Sequence, residues 1–373
     1  MKKCIACGAE LYEKPLLQLK NMPASAQGLP TEAELCSDKG VDINLCECRG
    51  CGLIQLDCEP VSYYRDVIRS GGYTTTMENL RRSQYRKFID KFNLTGKKII
   101  EVGCGQGEFL KTLAEFDVKA FGMEHKKDLV EKARDLGLNV YEHYPENEKD
   151  EFKDGPYDAL TSFNFLEHQP DPHMYLRAIA NNLTEDGCGL ITVPSLEYII
   201  DKKTYYEIIP DHLAYYTEET LRKLLERCGF EVVECETVNR DTISCMVRKI
   251  KRTDFSPVTD TCNEIIRQMQ AAAESSKSLA VWGASHQGFT ILATTGIAGK
   301  VNFIIDSAPF KQGKFSPASH IEIISPDEAV KRNPETIIII APGYSDEIAG
   351  IIKNKFRSET KIYTLKTDKL ERL

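Results

Sequence analysis

Four cysteines near the start of the chain are spaced as metal ligands. Cys4 and Cys7 form one Cys-x-x-Cys pair, and Cys48 and Cys51 form a second pair forty residues further on. Each pair is followed by a glycine, which suits a tight turn that points two thiolates at one ion. Four sulfur ligands favour tetrahedral Zn²⁺ in a closed, structural site. Cys46 is a fifth thiol that leaves the ligand set open, and a redox Cys-x-x-Cys motif is the weaker alternative.

Three alternating glycines, Gly103, Gly105 and Gly107, lie between a predicted strand and a predicted helix. Glycine lets the backbone turn sharply and approach a ligand without a Cβ in the way. A dinucleotide fingerprint requires Gly-x-Gly-x-x-Gly, whereas the third glycine here comes one residue early. With Glu101, the segment instead resembles the Glu-x-Gly-x-Gly-x-Gly motif of class I S-adenosylmethionine (SAM) methyltransferases. This resemblance implies that the four residues bind SAM.

The elements that follow the glycines must position this motif. A second predicted strand ends at Glu124, where the resemblance implies an acid that binds both ribose hydroxyls of SAM. A fourth strand ends near Asn164, and a fifth covers residues 187–195. Strands that alternate with helices predict a parallel sheet whose ligands bind at the carboxyl ends of the strands. A glycine turn in an unrelated α/β domain is the alternative.

The composition changes after residue 250. Residues 249–261 are polar and typical of a linker, and a helix is predicted over 262–276. Strands beginning at Ser278, Val301 and Thr336 then predict a second, smaller α/β unit, which could also be purely structural or dimerising. We therefore divide the chain into a zinc-binding domain (1–60), a methyltransferase domain (61–250), a linker with a helix (251–277) and a C-terminal α/β domain (278–373).

This order of cysteine pairs, glycine motif and C-terminal unit resembles the SAM-dependent 3-C-methyltransferases of TDP-linked keto-deoxysugars. The tail carries the resemblance through Trp282-Gly-Ala-Ser, Asp306-Ser-Ala-Pro-Phe-Lys-Gln-Gly and Pro317-Ala-Ser-His-Ile. The family's tail helps to hold the nucleotide, which implies that role for three residues here: Ser285, Lys311 and His320. Family members also carry a tyrosine and hydroxyl-rich stretch over the cofactor. This implies SAM contacts for Tyr73 and Thr76, with helix capping by Thr76 as the alternative.

The segment IIPDHLAYYT at residues 208–217 contains the candidate base. The family resemblance implies a catalytic acid–histidine pair, which Asp211 and His212 match, and an Asn-x-x-x-His motif, which Asn164 and His168 match. Histidine titrates near neutral pH and suits removal of a proton beside a ketone, which gives an enolate that attacks the methyl group of SAM. A polar residue that organises the loop is the alternative for His212.

One position departs from the family pattern. Relatives carry a tyrosine three residues before the histidine, where this chain has Ile209. Four tyrosines nearby could replace it: Tyr205, Tyr206, Tyr215 and Tyr216. The departure bears on the keto-sugar substrate more than on methyl transfer itself.

The bulk composition excludes other classes of protein. The 373 residues are 42% hydrophobic and 28% charged with a net charge of −8, which disfavours general nucleic-acid binding. Apolar runs are too short for a membrane span. We expect a cytoplasmic monomer or homodimer whose thirteen cysteines are reduced, so disulfides are not expected.

The sequence therefore predicts an α/β protein with a class I SAM-methyltransferase Rossmann-like domain, a small N-terminal zinc-binding domain and a C-terminal Rossmann-like α/β domain. The predicted function is SAM-dependent C-methylation of a nucleotide-activated sugar. The alternatives are an O- or N-methyltransferase acting on a sugar or another small metabolite, and a zinc-containing scaffold with a vestigial SAM pocket. A nicotinamide oxidoreductase is a more distant possibility.

Overall fold

The computed structural model describes residues 3–65 and 74–373. The chain divides into two compact units, Met1–Lys251 and Arg252–Leu373. Tyr73, predicted to contact SAM, lies outside the described residues. Within the part of the chain that is described, no helix combines the length and apolar character needed to cross a membrane.

The first unit contains eleven strands and six helices among its described residues. The strands are β1 (Leu17–Met22), β2 (Val41–Glu47), β3 (Ile54–Leu56), β4 (Lys98–Val102), β5 (Lys119–Glu124), β6 (Val140–Glu142), β7 (Tyr157–Phe163), β8 (Leu183–Pro194), β9 (Ala214–Tyr215), β10 (Phe230–Val238) and β11 (Thr242–Lys249). The helices are α1 (Thr75–Phe92), α2 (Glu108–Leu113), α3 (Lys127–Asp135), α4 (Pro172–Asn181), α5 (Leu196–Lys202) and α6 (Glu218–Arg227).

A seven-stranded sheet in the order β10-β11-β8-β7-β4-β5-β6 forms the centre of this unit. Strands β8, β7, β4, β5 and β6 pair in parallel, while β10 and β11 add an antiparallel hairpin beside β8. The predicted class I SAM-methyltransferase Rossmann-like fold is confirmed. The carboxyl ends of β4, β5 and β7 meet at one edge, as the alternation of strands and helices predicts.

Threonine side chains at the N-termini of α6 and α1 form the capping hydrogen bonds that mark where these helices begin. Thr217 caps α6 in a capping box with Thr220, and the leucines at 221, 224 and 225 are buried. Helix α1 is capped by Thr74, whose side chain accepts a hydrogen bond from the Met77 amide. The interpretation of Thr76 as the cap is therefore wrong, because α1 begins one residue earlier, at Thr75, and leaves Thr76 exposed within the helix.

The N-terminal cysteine-rich segment builds a separate four-stranded sheet in the order β1-β2-β3-β9. Its last strand, Ala214–Tyr215, comes from the chain directly after His212 and pairs with β3. One buried hydrophobic cluster also includes Cys4 and Leu53 of this segment together with Tyr216 and Leu221. Packing thus joins the N-terminal segment to the loop that carries His212.

Cys235 and Cys245 form a disulfide, contrary to the expectation that none would be present. The two residues stand directly opposite each other in the antiparallel pair β10–β11, with Cα atoms 4.3 Å apart. Such a separation is typical of facing positions that do not exchange backbone hydrogen bonds, where side chains are closest. The strand register, which the sequence pattern did not reveal, brings the two sulfurs together.

The second unit is a six-stranded sheet with four helices. The strands are β12 (Leu279–Trp282), β13 (Val301–Ile305), β14 (Ile323–Ile324), β15 (Thr336–Ile339), β16 (Lys361–Leu365) and β17 (Leu370–Arg372), and the helices are α7 (Ser256–Glu274), α8 (His286–Thr294), α9 (Pro326–Arg332) and α10 (Ser345–Lys355). The order is β14-β13-β12-β15-β16-β17, and only the β16–β17 pair is antiparallel. This is the doubly wound pattern expected of a Rossmann-like α/β unit.

Candidate active site

A cavity of about 380 Å³ opens at the carboxyl edge of the seven-stranded sheet. Its wall contains seven of the residues that the sequence singled out: Gly103, Gly105, Glu124, Asn164, His168, Asp211 and His212. The tertiary structure therefore brings the glycine motif and the candidate base, which are more than a hundred residues apart, to one space. Glu101, Gly107 and Thr76 are not part of the described wall.

The glycine loop has a backbone that other residues adopt only with strain. Gly103 and Gly105 have φ angles of +76° and +57°. A Cβ at Gly103 would lie 3.3 Å from the ring of Phe165, so the backbone itself forms the cavity surface there. The arrangement leaves a cradle into which a ligand can come close to main-chain atoms.

Glu124 closes the loop from the end of β5. Its Oε2 accepts a hydrogen bond from the Gly105 amide at 2.9 Å, and its Oε1 accepts one from the Lys126 amide at 2.9 Å. A carboxylate with two oxygens can accept further bonds at the same time. Glu124 is therefore held in place at the cavity wall beside the Gly105 amide.

Two predicted cofactor residues, Glu101 and Gly107, lie behind the described cavity wall. Glu101 is fully buried in β4. Gly107 has a φ of +86° and stands at the N-terminus of α2, where a Cβ would lie only 2.4 Å from Leu138 Cδ1. Glycine suits position 107 because of its positive φ, and an added Cβ would also force the end of the Leu138 side chain to move.

His168 and His212 lie side by side in the cavity wall. Their ring centroids are 4.8 Å apart, and the His168 Nδ1–H donates to the backbone oxygen of Asp211 at 2.7 Å. Burial and then the neighbouring His168 lower the pKa of His212 to about 3, and burial also lowers the pKa of His168. Both imidazoles are therefore neutral at physiological pH and carry a lone pair. The expected titration of His212 near neutral pH is wrong, because burial disfavours its protonated form.

Asp211 directs its carboxylate to the N-terminal segment. Its Oδ1 accepts from the Tyr63 hydroxyl at 2.5 Å, and its Oδ2 accepts from the Ala26 amide at 3.0 Å. The residue is 2% exposed. Asp211 therefore fixes the loop on which His212 lies, and its backbone oxygen orients His168.

Asn164 follows β7 in a left-handed backbone conformation with a φ of +48°. Its Oδ1 accepts a hydrogen bond from the Thr192 hydroxyl at 2.8 Å, and its backbone amide donates to the Thr192 oxygen at 2.9 Å. Asparagine is one of the residues that tolerate this conformation. The contacts with β8 hold the Asn164 amide at the cavity wall.

None of the tyrosines in the described part of the chain lines the cavity. Tyr205 and Tyr206 are 64% and 66% exposed, and Tyr216 is fully buried. The Tyr215 hydroxyl exchanges hydrogen bonds with the backbone of Ile209. The four tyrosines considered as substitutes thus lie at the surface, lie in the core or bond to the loop backbone, and none of them lines the cavity.

Sequence reasoning missed two buried ionisable residues of the cavity wall, Arg81 and Glu167. Arg81 is 4% exposed on α1, where its guanidinium lies 3.4 Å from the centroid of Phe163 and donates to Gln84. Glu167 is 1% exposed, and burial raises the pKa of its carboxyl to about 8. Arg81 lies in a helix with many charged residues, so its residue type did not mark it as part of a site. Glu167 stands directly before His168, a predicted site residue, and that position could have identified it.

The four predicted zinc ligands converge in the N-terminal segment. The sulfurs of Cys4, Cys7, Cys48 and Cys51 lie within 4.8 Å of one another. The Cys7–Cys48 and Cys4–Cys51 sulfur pairs are 3.3 and 3.6 Å apart, close to the roughly 3.8 Å expected for sulfurs 2.3 Å from one tetrahedral Zn²⁺. Cys46 is buried in β2 outside this cluster.

Backbone amides donate hydrogen bonds to two of these four sulfurs. The Cys4 sulfur accepts from the Ala6 amide, and the Cys48 sulfur accepts from the Gly50 and Cys51 amides. Amide donors of this kind favour thiolates, the form in which cysteine binds metals. The donor set and its surroundings therefore fit Zn²⁺.

The second unit places two of its three predicted substrate residues at one end of its sheet. Ser285 caps α8 directly after β12. Lys311 Nζ lies 2.9 Å from Oδ2 of Asp306, which also accepts from the Ala284 amide next to Ser285. His320 is exposed on the turn after Ser316, with a φ of +52°.

Two family models match parts of this chain. The first, described as a methyltransferase domain, matches residues 77–235, and the second, described as a C-methyltransferase C-terminal domain, matches residues 252–364. The C-methyltransferase NovU of Streptomyces niveus is 23% identical over 385 residues, covering 93% of this chain and 91% of that protein.

Two further similarities cover only part of the chain. A ubiquinone biosynthesis O-methyltransferase of Aeromonas salmonicida is 27% identical over 178 residues, covering 44% of this chain and 75% of that protein. The crystal structure of magnesium protoporphyrin IX methyltransferase from Synechocystis, with bound SAH, is 17% identical with a TM-score of 0.39, covering 50% of this chain and 92% of that one. The two family models and the full-length relative thus indicate a SAM-dependent methyltransferase and support a C-methyltransferase family.

Proposed function

We propose that the chain transfers the methyl group of SAM to a carbon atom of a nucleotide-linked keto-deoxysugar, beside the keto group. The observation that carries this proposal is the single cavity lined by the glycine loop and Glu124 as well as by His168 and His212. Carbon methylation needs a methyl donor and a base within reach of one acceptor. The full-length similarity to a C-methyltransferase supports the same reaction.

The cofactor fits residues of the glycine loop. Gly103 and Gly105 leave room for close approach, and Glu124 presents carboxylate oxygens suited to the two ribose hydroxyls. Arg81, a buried cation of the same wall, suits the carboxylate of the methionine part. SAM supplies an electrophilic methyl group on a sulfonium.

His212 is the base that we assign to the reaction. A neighbouring keto group acidifies the C–H bond of the acceptor, and a neutral imidazole can accept that proton. His168 has its Nδ1 proton directed to Asp211, so its Nε2 is an acceptor in the neutral form. We therefore assign stabilisation of the enolate oxygen to the amide of Asn164, which can donate.

Solvent deuterium exchange tests this assignment without methyl transfer. A TDP-linked keto-deoxysugar incubated with the protein in D₂O, in the absence of SAM, is expected to gain deuterium at the carbon beside its carbonyl. His212→Asn is expected to lower that rate at least 100-fold, within the range for loss of a general base. His173→Asn is the matched control, because His173 contacts Ala6 and Cys228 away from the cavity and its loss leaves exchange in place.

The product identifies the methylated atom. Mass spectrometry with fragmentation is expected to find the added methyl group on carbon. A product methylated on oxygen or nitrogen, with no exchange at carbon, would replace the proposed reaction by the corresponding O- or N-methyl transfer.

We also propose that the four N-terminal cysteines hold a structural Zn²⁺ and that the second unit binds the nucleotide part of the substrate. The closed S₄ donor set supports the first assignment. For the second, Ser285 and Lys311 offer a hydroxyl and a cation near the N-terminus of α8, an arrangement suited to phosphate. His320 is the third proposed contact.

A further inference from the structure

Glu167, His168 and His212 form a second group of possible metal ligands, separate from the four cysteines. One ligand atom from each lies within 4.8 Å of the others. All three residues line the methyl-transfer cavity. The proposed reaction uses the two histidines but gives no role to Glu167.

Glu167 has an arrangement that is unusual for a carboxyl group. It is 1% exposed, and its Oε2 has no hydrogen-bond partner among the residues that the structure describes. Burial of an unpaired polar atom costs roughly 1–3 kcal/mol. A cation at this point would satisfy that oxygen and offset the penalty.

The orientation of His168 matches that of a metal ligand. Its Nδ1–H donates to the backbone oxygen of Asp211, which leaves the Nε2 lone pair 3.9 Å from Oε1 of Glu167. Histidines that bind metals usually donate their other ring N–H to a carbonyl or carboxylate in this way. The loop that carries His212 is also held to the turn at Glu167, because the Leu213 amide donates to the backbone oxygen of Glu167 at 2.8 Å.

We propose that Glu167, His168 and His212 bind one divalent transition-metal cation in the methyl-transfer cavity. Two imidazole nitrogens and one carboxylate oxygen suit Zn²⁺ and Co²⁺. Metal–ligand distances of about 2.0–2.1 Å place ligand atoms roughly 3.3 Å apart in a tetrahedron. The donors therefore need to close by up to about 1.5 Å through side-chain rotation.

Occupation of this site has a consequence that rests on the proposed function. The lone pair of His212 cannot bind a cation and accept a proton from the substrate at the same time. The cation and the keto-sugar therefore compete, and the cation-bound protein is inactive. The site acts as a point of reversible inhibition by divalent metal.

Titration of the full chain with Co²⁺ tests the site directly, after Zn²⁺ has been supplied to the four cysteines. We expect one further equivalent of Co²⁺ whose visible absorption lacks thiolate charge-transfer bands. Glu167→Gln keeps the size of the side chain and is expected to weaken this binding at least tenfold. Glu231→Gln, on the exposed face of β10, is the matched control and is expected to bind as the unmodified chain does.

Two results would overturn the site: no further equivalent of Co²⁺, or equal affinity in the unmodified chain and Glu167→Gln. Circular dichroism of each variant shows that it is folded. The competition is tested by adding Zn²⁺ to a turnover assay of protein whose four cysteines already hold Zn²⁺, where a loss of rate that dialysis restores is expected and a rise in rate would contradict it. Exchange and methyl transfer without added metal report on the proposed function alone, so the two proposals fail separately.

Discussion

The hydrogen bond between Tyr63 and Asp211 ties the N-terminal segment to the loop that carries His212, and its removal should weaken both stability and turnover. Oδ1 of Asp211 accepts from the Tyr63 hydroxyl at 2.5 Å, and Asp211 is buried. Tyr63→Phe removes the donor and keeps the ring. The Tyr63 hydroxyl also shares a hydrogen bond with the Ser25 hydroxyl.

The expected size follows from the charge and exposure of the pair. Hydrogen bonds to charged groups contribute about 1.5–3 kcal/mol. Tyr63 is half-buried, and the Ala26 amide still satisfies the other Asp211 oxygen, so we expect the lower end, about 1.5 kcal/mol. This corresponds to about a tenfold change in the equilibrium constant for unfolding.

Urea unfolding and steady-state turnover measure the two effects. The urea concentration at the midpoint of unfolding should fall, while the slope of the unfolding free energy against urea concentration should not change. The turnover number should fall several-fold while the Kd for SAM stays constant, because Glu124 and the glycine loop make their contacts elsewhere. Combining Tyr63→Phe with Asp211→Ala should give less than the sum of the two single effects, since both remove the same bond.

The pH dependence has a defined sign. Burial and the bond to Asp211 raise the pKa of Tyr63, so the folded protein holds the phenol proton more tightly than the unfolded chain does. The stabilisation is complete below the ordinary tyrosine pKa of about 10 and is lost as pH rises through the raised value. The stability difference between the unmodified chain and Tyr63→Phe should therefore shrink above pH 10.

Tyr12→Phe is the matched control, because Tyr12 is 49% exposed in the same N-terminal segment. Equal stability and turnover in Tyr63→Phe and Tyr12→Phe would refute the idea that this bond positions the His212 loop.

Further predictions concern the cofactor cradle and the metal cluster. Glu124→Gln should raise the Kd for SAM about tenfold in calorimetry, since the amide keeps one acceptor oxygen where the carboxylate has two, and an unchanged Kd would contradict this role. Gly107→Ala should lower stability in urea by at least about 1 kcal/mol, because of its positive φ and the close approach of Leu138, whereas a neutral result would show that α2 can shift freely. Cys48→Ser should remove the bound zinc in metal analysis and lower turnover through the β3–β9 pairing, while Cys36→Ser, at an exposed thiol, should do neither.

Structural features that depend on neighbouring residues could be predicted from the sequence. The two Cys-x-x-Cys pairs come together as one cluster, and the glycines after β4 adopt the left-handed conformations that a ligand-binding turn needs. Each of these features depends on a few consecutive residues, so the pattern of residue types is enough to specify it.

Features that depend on contacts between distant residues were decided only by the tertiary structure. Sheet register places Cys235 opposite Cys245, and folding brings Ala26 and Tyr63 onto the carboxylate of Asp211. The burial of Glu167 beside two histidines follows from how β9 pairs with the N-terminal sheet. Side-chain environment is set by which surfaces pack together, and a local pattern does not encode those partners. The sequence alone thus determined the donor motifs and the fold class, whereas packing decided which acids and bases face one another in the cavity.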